Sequence, residues 1–481
     1  MFKFCPSCGR KNEGWRFCPD CGTSLDQQND TGLKQQNGET LKADSENSTE
    51  DMLHVTVASG DHDKIEVKHA HDIFNLVYND DGSYSIESVR EKGIKVVKIP
   101  DFVKIITDRA FYDCNRLTKI DISNSVKLIE EEAFLGCVSL KNVVLPLGIT
   151  NISDGTFNGC AALTSIEIPY SVTNIGEGAF DGCSALKNIA FPKALESIEG
   201  WAFHECSSLT DIVIPDGVTS IGEGAFSGCT GLTNISIPSG LESIEDWTFH
   251  ECVSLTSVNI PNGVTRIGVR TFSGCTVLGS VNIPNGVLSI GEGAFDGCGK
   301  LTSIEIPSSV TSIEGMVFDG CSELANISVQ KENKKYHSSG NCLIDTWNKS
   351  LIRGCKNSVI PTDGSVTRIE RGAFDGCDEL ESIDIPRGVA SIEEGAFFGC
   401  EELKNAVISD SVARISDSAF ENCLNFEVVY YQGSEKQWKK IKIGNYNAYL
   451  TKAMRYYYSE SVPDKKGNYW HYDENHKPIK W

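Results

Sequence analysis

Four cysteines near the start of the chain have the residue type and spacing for metal chemistry. Cys5-Pro6-Ser7-Cys8 and Cys18-Pro19-Asp20-Cys21 form two C-P-x-C-G knuckles separated by nine residues. Two residues between cysteines let successive thiolates reach one ion at ~2.3 Å, and two such knuckles complete a tetrahedral S₄ site of the kind that holds Zn²⁺. Gly9 and Gly22 permit the turn after each knuckle. Four thiolates leave no open position for water or substrate, so the expected ion is structural. Only ~25 residues surround it, too few for a core of their own, and metal binding is expected to supply most of their folding free energy. A redox C-x-x-C would call for a βαβ context, which this segment lacks.

A second recurrence involves aromatic and imidazole side chains. Trp201, His204 and Glu205 return forty-six residues later as Trp247, His250 and Glu251. The flanks Leu195-Glu196-Ser197-Ile198 and Leu241-Glu242-Ser243-Ile244 repeat as well, the mark of a duplicated block. Both tryptophans stand where neighbouring units often carry Gly, and Trp is enriched among interface anchors. Trp201, His204, Trp247 and His250 are therefore the expected partner-binding residues. No HExxH, GxSxG or glycine-rich phosphate loop accompanies the nine histidines. His69-Ala70-His71, if on a strand, would aim both rings at one face. No catalytic residue, cofactor-binding loop or small-molecule substrate is expected, and the chain reads as a non-enzyme.

The elements that position these residues follow from the other cysteines. Cysteine recurs from Cys114 to Cys321 with an unbroken step of 23 residues, and the step resumes at Cys377, Cys400 and Cys423. Each of these thirteen cysteines is preceded three residues earlier by Phe, from Phe111 to Phe420. One unit runs Leu163, Ile166, Ile168, Pro169, Val172, Ile175, Gly176, Ala179, Phe180, Gly182, Cys183. Ile166 and Ile168 alternate with Ser165 and Glu167, as in a short strand with one buried face. Pro169 ends that strand, because it has no N–H to give a ladder. Val172 and Ile175, then Phe180 and Cys183, are spaced three apart, which suits a second short extended piece and a tight helical or 3₁₀ turn. Gly176 and Gly182 are expected at corners with positive φ. So short a unit cannot shield its own apolar residues, so coils must stack into a β-rich solenoid of about thirteen turns.

These units, reading C-x2-L-x2-I-x-I-P-x2-V-x2-I-G-x2-A-F-x-G over roughly residues 100–431, resemble the BspA-like leucine-rich repeats. The resemblance implies a leucine-rich-repeat solenoid and a surface or interaction protein, without naming a ligand. The first 25 residues resemble the zinc-ribbon family, with all four ligand positions, Cys5, Cys8, Cys18 and Cys21, filled.

The domain plan is a zinc ribbon at 1–25 and an acid-rich, polar linker at 26–52 that should not fold. A strand-rich N-terminal cap follows at 53–99, then the solenoid at 100–431 and a C-terminal cap with an aromatic tail at 432–481. The step from Cys321 to Cys377 is 56 residues, one coil plus 33, which marks an insert at 330–360. There Cys342-Leu343-Ile344 and Leu351-Ile352-Arg353 read as a hairpin, and a Cys342–Cys355 disulfide is conceivable.

A formal net charge of −22 repels polyanions, so nucleic acid is not an expected partner of the array. The ribbon, with Lys3, Arg10, Lys11 and Arg16 against Glu13 and Asp20, is the better candidate for such contact. No apolar run reaches the ~20 residues of a membrane span. The start has no secretory pattern, so the expected location is cytoplasmic. The alternative is a non-classically exported surface adhesin. The favoured function is a protein-binding scaffold.

Overall fold

The computed structural model describes residues 54–59, 65–464 and 466–481. The ribbon cysteines Cys5, Cys8, Cys18 and Cys21 and the 26–52 linker lie outside the described residues. The chain divides into units 1–54 and 55–481, and the solenoid lies wholly in the second.

Each coil contributes to two parallel ladders. The first is built of three- to four-residue strands such as Ser165–Glu167 and Asn188–Ala190, in register Ile166↔Ile189. The second is built of two-residue strands, as in Asn174–Ile175, Ser197–Ile198 and Ser220–Ile221. Between regular coils each pairing advances 23 residues, so equivalent positions stack. Leu163, Val172, Ile175, Ala179, Phe180 and Cys183 are all fully buried. Thirteen coils carry the Phe-x2-Cys signature, and turns at the ends and the insert bring the solenoid to about sixteen.

The tight turn after the second strand is not a continuous helical segment. Its N–H groups alternate: Ala179, Asp181 and Cys183 donate three residues back, to Gly176, Gly178 and Phe180. Gly178, Phe180 and Gly182 donate instead to Gly200, Ala202 and His204 of the next coil. Positive φ at Gly178 (57°) and Gly182 (69°) directs the alternation. Gly176 serves another purpose: its φ is not positive, and a Cβ there would lie 2.7 Å from the Asp154 backbone nitrogen. Stacking distance, not turn geometry, requires that glycine.

The phenylalanines form a stacked column. Consecutive ring centroids from Phe111 to Phe318 lie 5.0–5.9 Å apart, and those of Phe374, Phe397 and Phe420 are 4.9 Å apart. Beside it runs a column of thiols. The Cys183 Sγ donates to the Phe157 carbonyl at 3.2 Å, and the Phe157 carbonyl also accepts the Cys160 N–H of its own coil. Cysteine thus fills a small apolar site and satisfies a buried carbonyl, a pair of tasks that Ala and Val cannot share. All fifteen described cysteines, including Cys342 and Cys355, are free and buried. Burial pushes the Cys160, Cys229 and Cys275 thiols up to about 12. Iodoacetamide is therefore expected to leave these thiols unlabelled in the native protein and to label them in guanidinium. Labelling of Cys229 at the rate of a free thiol would contradict the column.

At the insert, Tyr336–Ser339, Cys342–Asp345 and Ser350–Arg353 form an antiparallel meander. Its last strand pairs in parallel with Arg368–Ile369 and so rejoins the second ladder. The turn at 372–377 stacks on the turn at 316–321 across the insert, a Cβ on Gly376 lying 3.3 Å from the Gly320 α-carbon. In regular coils, backbone N–H groups of the preceding turn satisfy the carbonyls beside Phe. Here Gly354 N–H donates to Ala373, while the fully buried Arg353 guanidinium donates to Gly372 (3.0 Å) and Asp375 (2.9 Å). The same guanidinium lies 3.4 Å from the Asp319 carboxylate.

Burial raises Asp319 from 3.8 to about 7; Arg353 opposes the shift and Asp375 adds to it. A raised folded pKa means that the native state holds a proton where the unfolded chain has lost it. The favourable contribution is complete below 3.8 and is lost as pH rises to about 7. Asp319→Asn is expected to flatten the fall in stability across that window. An unchanged slope in unfolding midpoint against pH would contradict it.

Both ends of the array carry additional strands. Phe74–Tyr78 and Tyr84–Val89 form a hairpin that leads into Val103–Ile106. At the other end, Val428–Tyr431, Met454–Tyr458 and Tyr469–Tyr472 continue the first ladder in parallel. Trp470 is fully buried there, its Nε1–H donating to the Tyr431 carbonyl at 2.9 Å.

Candidate functional site

Two left-handed positions recur in every signature coil, two residues before and two residues after its Phe. Six of the thirteen coils place Gly at both, as in Gly293 and Gly297 or Gly395 and Gly399, and three more place Gly at the second. Trp201 (φ 55°) and Glu205 (54°) occupy them in one coil, and Trp247 (61°) and Glu251 (56°) in another. Only the terminal pairs Arg109/Asp113 and Ser418/Asn422 likewise avoid Gly at both positions. A non-glycine residue held in this region costs on the order of 1 kcal/mol or more, and such residues cluster at functional sites.

Between the two Trp coils lies a coil with Gly224, Ser227 and Gly228 at the corresponding places. Its missing side chains open a groove of about 530 Å³, lined by Trp201, His204, Glu205, Trp247, His250 and Glu251 over a floor of Ser227 and Gly228. The four residues expected to bind a partner, two pairs 46 residues apart in sequence, thus line one concavity. The Trp201 indole lies over the neighbouring coil: a Cβ on Gly224 would come within 2.5 Å of it. Each indole meets its own imidazole edge-on, Trp201–His204 at 5.2 Å and Trp247–His250 at 4.8 Å.

The imidazoles differ. His204 Nδ1 is 2.8 Å from the Asp181 carboxylate, one coil back. Burial lowers the pKa of His250, opposed by nearby Glu251, so its ring is neutral at neutral pH. Glu205 and Glu251 are exposed at the rim and make no ion pair among the described residues. Trp247 is covered from its other side by Arg270, whose guanidinium carbon lies 5.5 Å from the ring centroid and which also reaches Asp296 at 3.4 Å. Sequence reasoning found the Trp and His residues. It missed the Glu pair as site residues, although both glutamates share the forty-six-residue recurrence.

A second groove of about 620 Å³, near Arg368 and Lys442, is lined by charges that neutralise one another, among them Arg414 with Glu393 and Arg368 with Glu370. His69 and His71 stack at 5.5 Å, His69 ending a strand and His71 lying in the one-turn helix Ala70–Ile73. No cluster of three metal-ligating side chains occurs among the described residues. No helix there is long and apolar enough to cross a membrane.

The model of the BspA type leucine rich repeat region matches in six copies, over residues 89–210, 150–278, 242–353 and 346–446. A leucine-rich repeat protein from Bacteroides ovatus has a similar structure, with TM-score 0.56 and 25% identity over 80% of this chain and 98% of that one. A leucine rich cell surface protein from Faecalibacterium prausnitzii gives TM-score 0.50 and 30% identity over 77% of this chain and 96% of that one. No protein of curated function matches.

Proposed function

The chain belongs to the BspA-type leucine-rich repeat family, and from that premise we propose that it is a non-catalytic scaffold whose array binds another protein through the groove of Trp201 and Trp247. One observation carries the reading: two coils set large aromatic residues at left-handed positions that most neighbours give to Gly, and both face the same concavity. Large, rigid aromatic side chains around a partly shielded hollow are the composition of interface anchors. A photo-crosslinking residue at Thr230, at the groove, is expected to capture a polypeptide that the same residue at Glu167, on the outer strand face, does not. Equal capture from both positions would count against the groove.

Location has a second reading with its own support. The similarity to a cell surface protein favours the surface over the cytoplasm. The column of free thiols does not oppose it, because each is buried and held as thiol, so an oxidising exterior has no thiolate to attack. Protease shaving of intact cells separates the two locations. Cys5, Cys8, Cys18 and Cys21 are assigned a structural Zn²⁺ on their spacing. One zinc per chain by elemental analysis, lost in Cys8→Ser, supports that assignment, and zinc-free native protein would end it.

A further inference from the structure

Resting on the groove as the binding site, we infer that its occupant is a cationic side chain, an arginine or lysine presented by a partner polypeptide, which enters between the two indoles and is met by Glu205 and Glu251. Three features of the groove point to this chemistry.

The first is charge. Among the residues that line the groove there is no lysine or arginine, whereas Glu205 and Glu251 stand exposed at its rim without an ion pair among the described residues. The imidazoles do not oppose a cation: His250 is held neutral by burial, and His204 faces the Asp181 carboxylate. An anionic ligand would meet two carboxylates and no counter-charge, and the net charge of −22 would repel it further.

The second is aromatic. A cation over an indole face is attracted by the ring quadrupole, and Trp is the strongest of the aromatic partners. The protein already makes this contact at Trp347 with Lys335, at Trp438 with Arg455 and, beside the groove, at Trp247. In the stack of equivalent positions Trp201, Gly224, Trp247 and Arg270, the Arg270 guanidinium covers Trp247 from the coil beyond it and passes its charge to Asp296. On the groove side the same indole faces the coil of Gly224, over which the Trp201 indole lies, with Ser227 and Gly228 of that coil left open to the groove. An incoming arginine there would repeat the arrangement of guanidinium, indole and carboxylate that Trp247, Arg270 and Asp296 display.

The third is backbone. Glu205 and Glu251 occupy left-handed positions that the intervening and following coils fill with Gly228 and Gly274. Their side chains run beside those next-coil glycines, a Cβ on Gly228 lying 3.3 Å from the Glu205 γ-carbon and one on Gly274 lying 3.2 Å from the Glu251 γ-carbon. Glycine would hold the same turn without strain, so the exposed carboxylates stand there as charge open to a ligand.

The test uses the full chain labelled with 5-fluorotryptophan, whose seven indole resonances are assigned by single Trp→Phe variants. The probe is a Gly-Ser peptide carrying one central arginine, compared with the same peptide carrying citrulline, the neutral isostere. The arginine peptide is expected to shift the Trp201 and Trp247 resonances saturably and leave exposed Trp347 unmoved. Citrulline is expected to bind at least about tenfold more weakly, and so is arginine to the Glu205→Gln/Glu251→Gln variant, whose substitutions are exposed and leave the core intact. Equal shifts with citrulline, parallel movement of Trp347, insensitivity to the two Gln substitutions or no shift at all each overturn the inference. The scaffold reading fails separately, through loss of the groove's part in capturing a protein partner.

Discussion

Replacing Arg353 with methionine is expected to cost the array about 3 kcal/mol and to separate the unfolding of the coils before the insert from that of the coils after it. The guanidinium is buried to 2% exposure and bridges the two halves, donating to Gly372 and Asp375 on one side and facing Asp319 on the other. Methionine keeps much of the volume and removes every donor. Two buried carbonyls then lose their partners, at about 1–3 kcal/mol each, while Asp319 escapes part of the penalty by taking a proton. In a solenoid, coupling passes only between neighbours, so a weakened junction divides the cooperative unit. Hydrogen exchange under denaturant reads the division directly. A single transition with an unchanged midpoint would show that the meander holds the halves together without Arg353.

The second large effect lies in the phenylalanine column. Phe226→Ala is expected to destabilise by about 3–5 kcal/mol, the range for a fully buried large aromatic residue. Its ring is stacked on Phe203 at 5.4 Å and on Phe249 at 5.9 Å, nearly parallel to both. Hydrogen bonds to the coil on either side fix the backbone, so the cavity cannot collapse and the full cost is felt. Val213→Ala, on the outer strand face of the same coil at 73% exposure, is the matched control and should move stability by less than about 0.5 kcal/mol. Similar effects from the two substitutions would contradict a column that carries the core.

The solenoid was legible in the sequence because each coil repeats one burial pattern. Ile166 with its neighbours, and Phe180 with Cys183, could be placed from period alone, since the same residues return every 23 positions. The features that escaped are those the period cannot carry. Trp201 and Glu205 are visibly unlike the Gly of neighbouring coils, but only backbone angles show that both are left-handed. Only stacking shows that a glycine coil opens a hollow between them and their copies. Gly176 is conserved in pattern with Gly182, yet one answers a close approach and the other a turn. Arg353 lies in the insert, where no repeat marks its role, and its partners at 319, 372 and 375 converge only when the coils on either side stack. The thiol-to-carbonyl bonds were equally hidden, since spacing identifies a small buried residue without saying what its sulfur meets.

The central claim is that the groove of Trp201 and Trp247 is where the array holds its partner. The most direct measurement is the dissociation constant of the polypeptide captured at Thr230, for the native chain and for Trp201→Ala/Trp247→Ala, with thermal unfolding recorded for both. Two anchors of ordinary strength predict at least about 30-fold weaker binding at an unchanged unfolding temperature. An affinity within about threefold of the native value would contradict the claim and return the two tryptophans to a purely structural role.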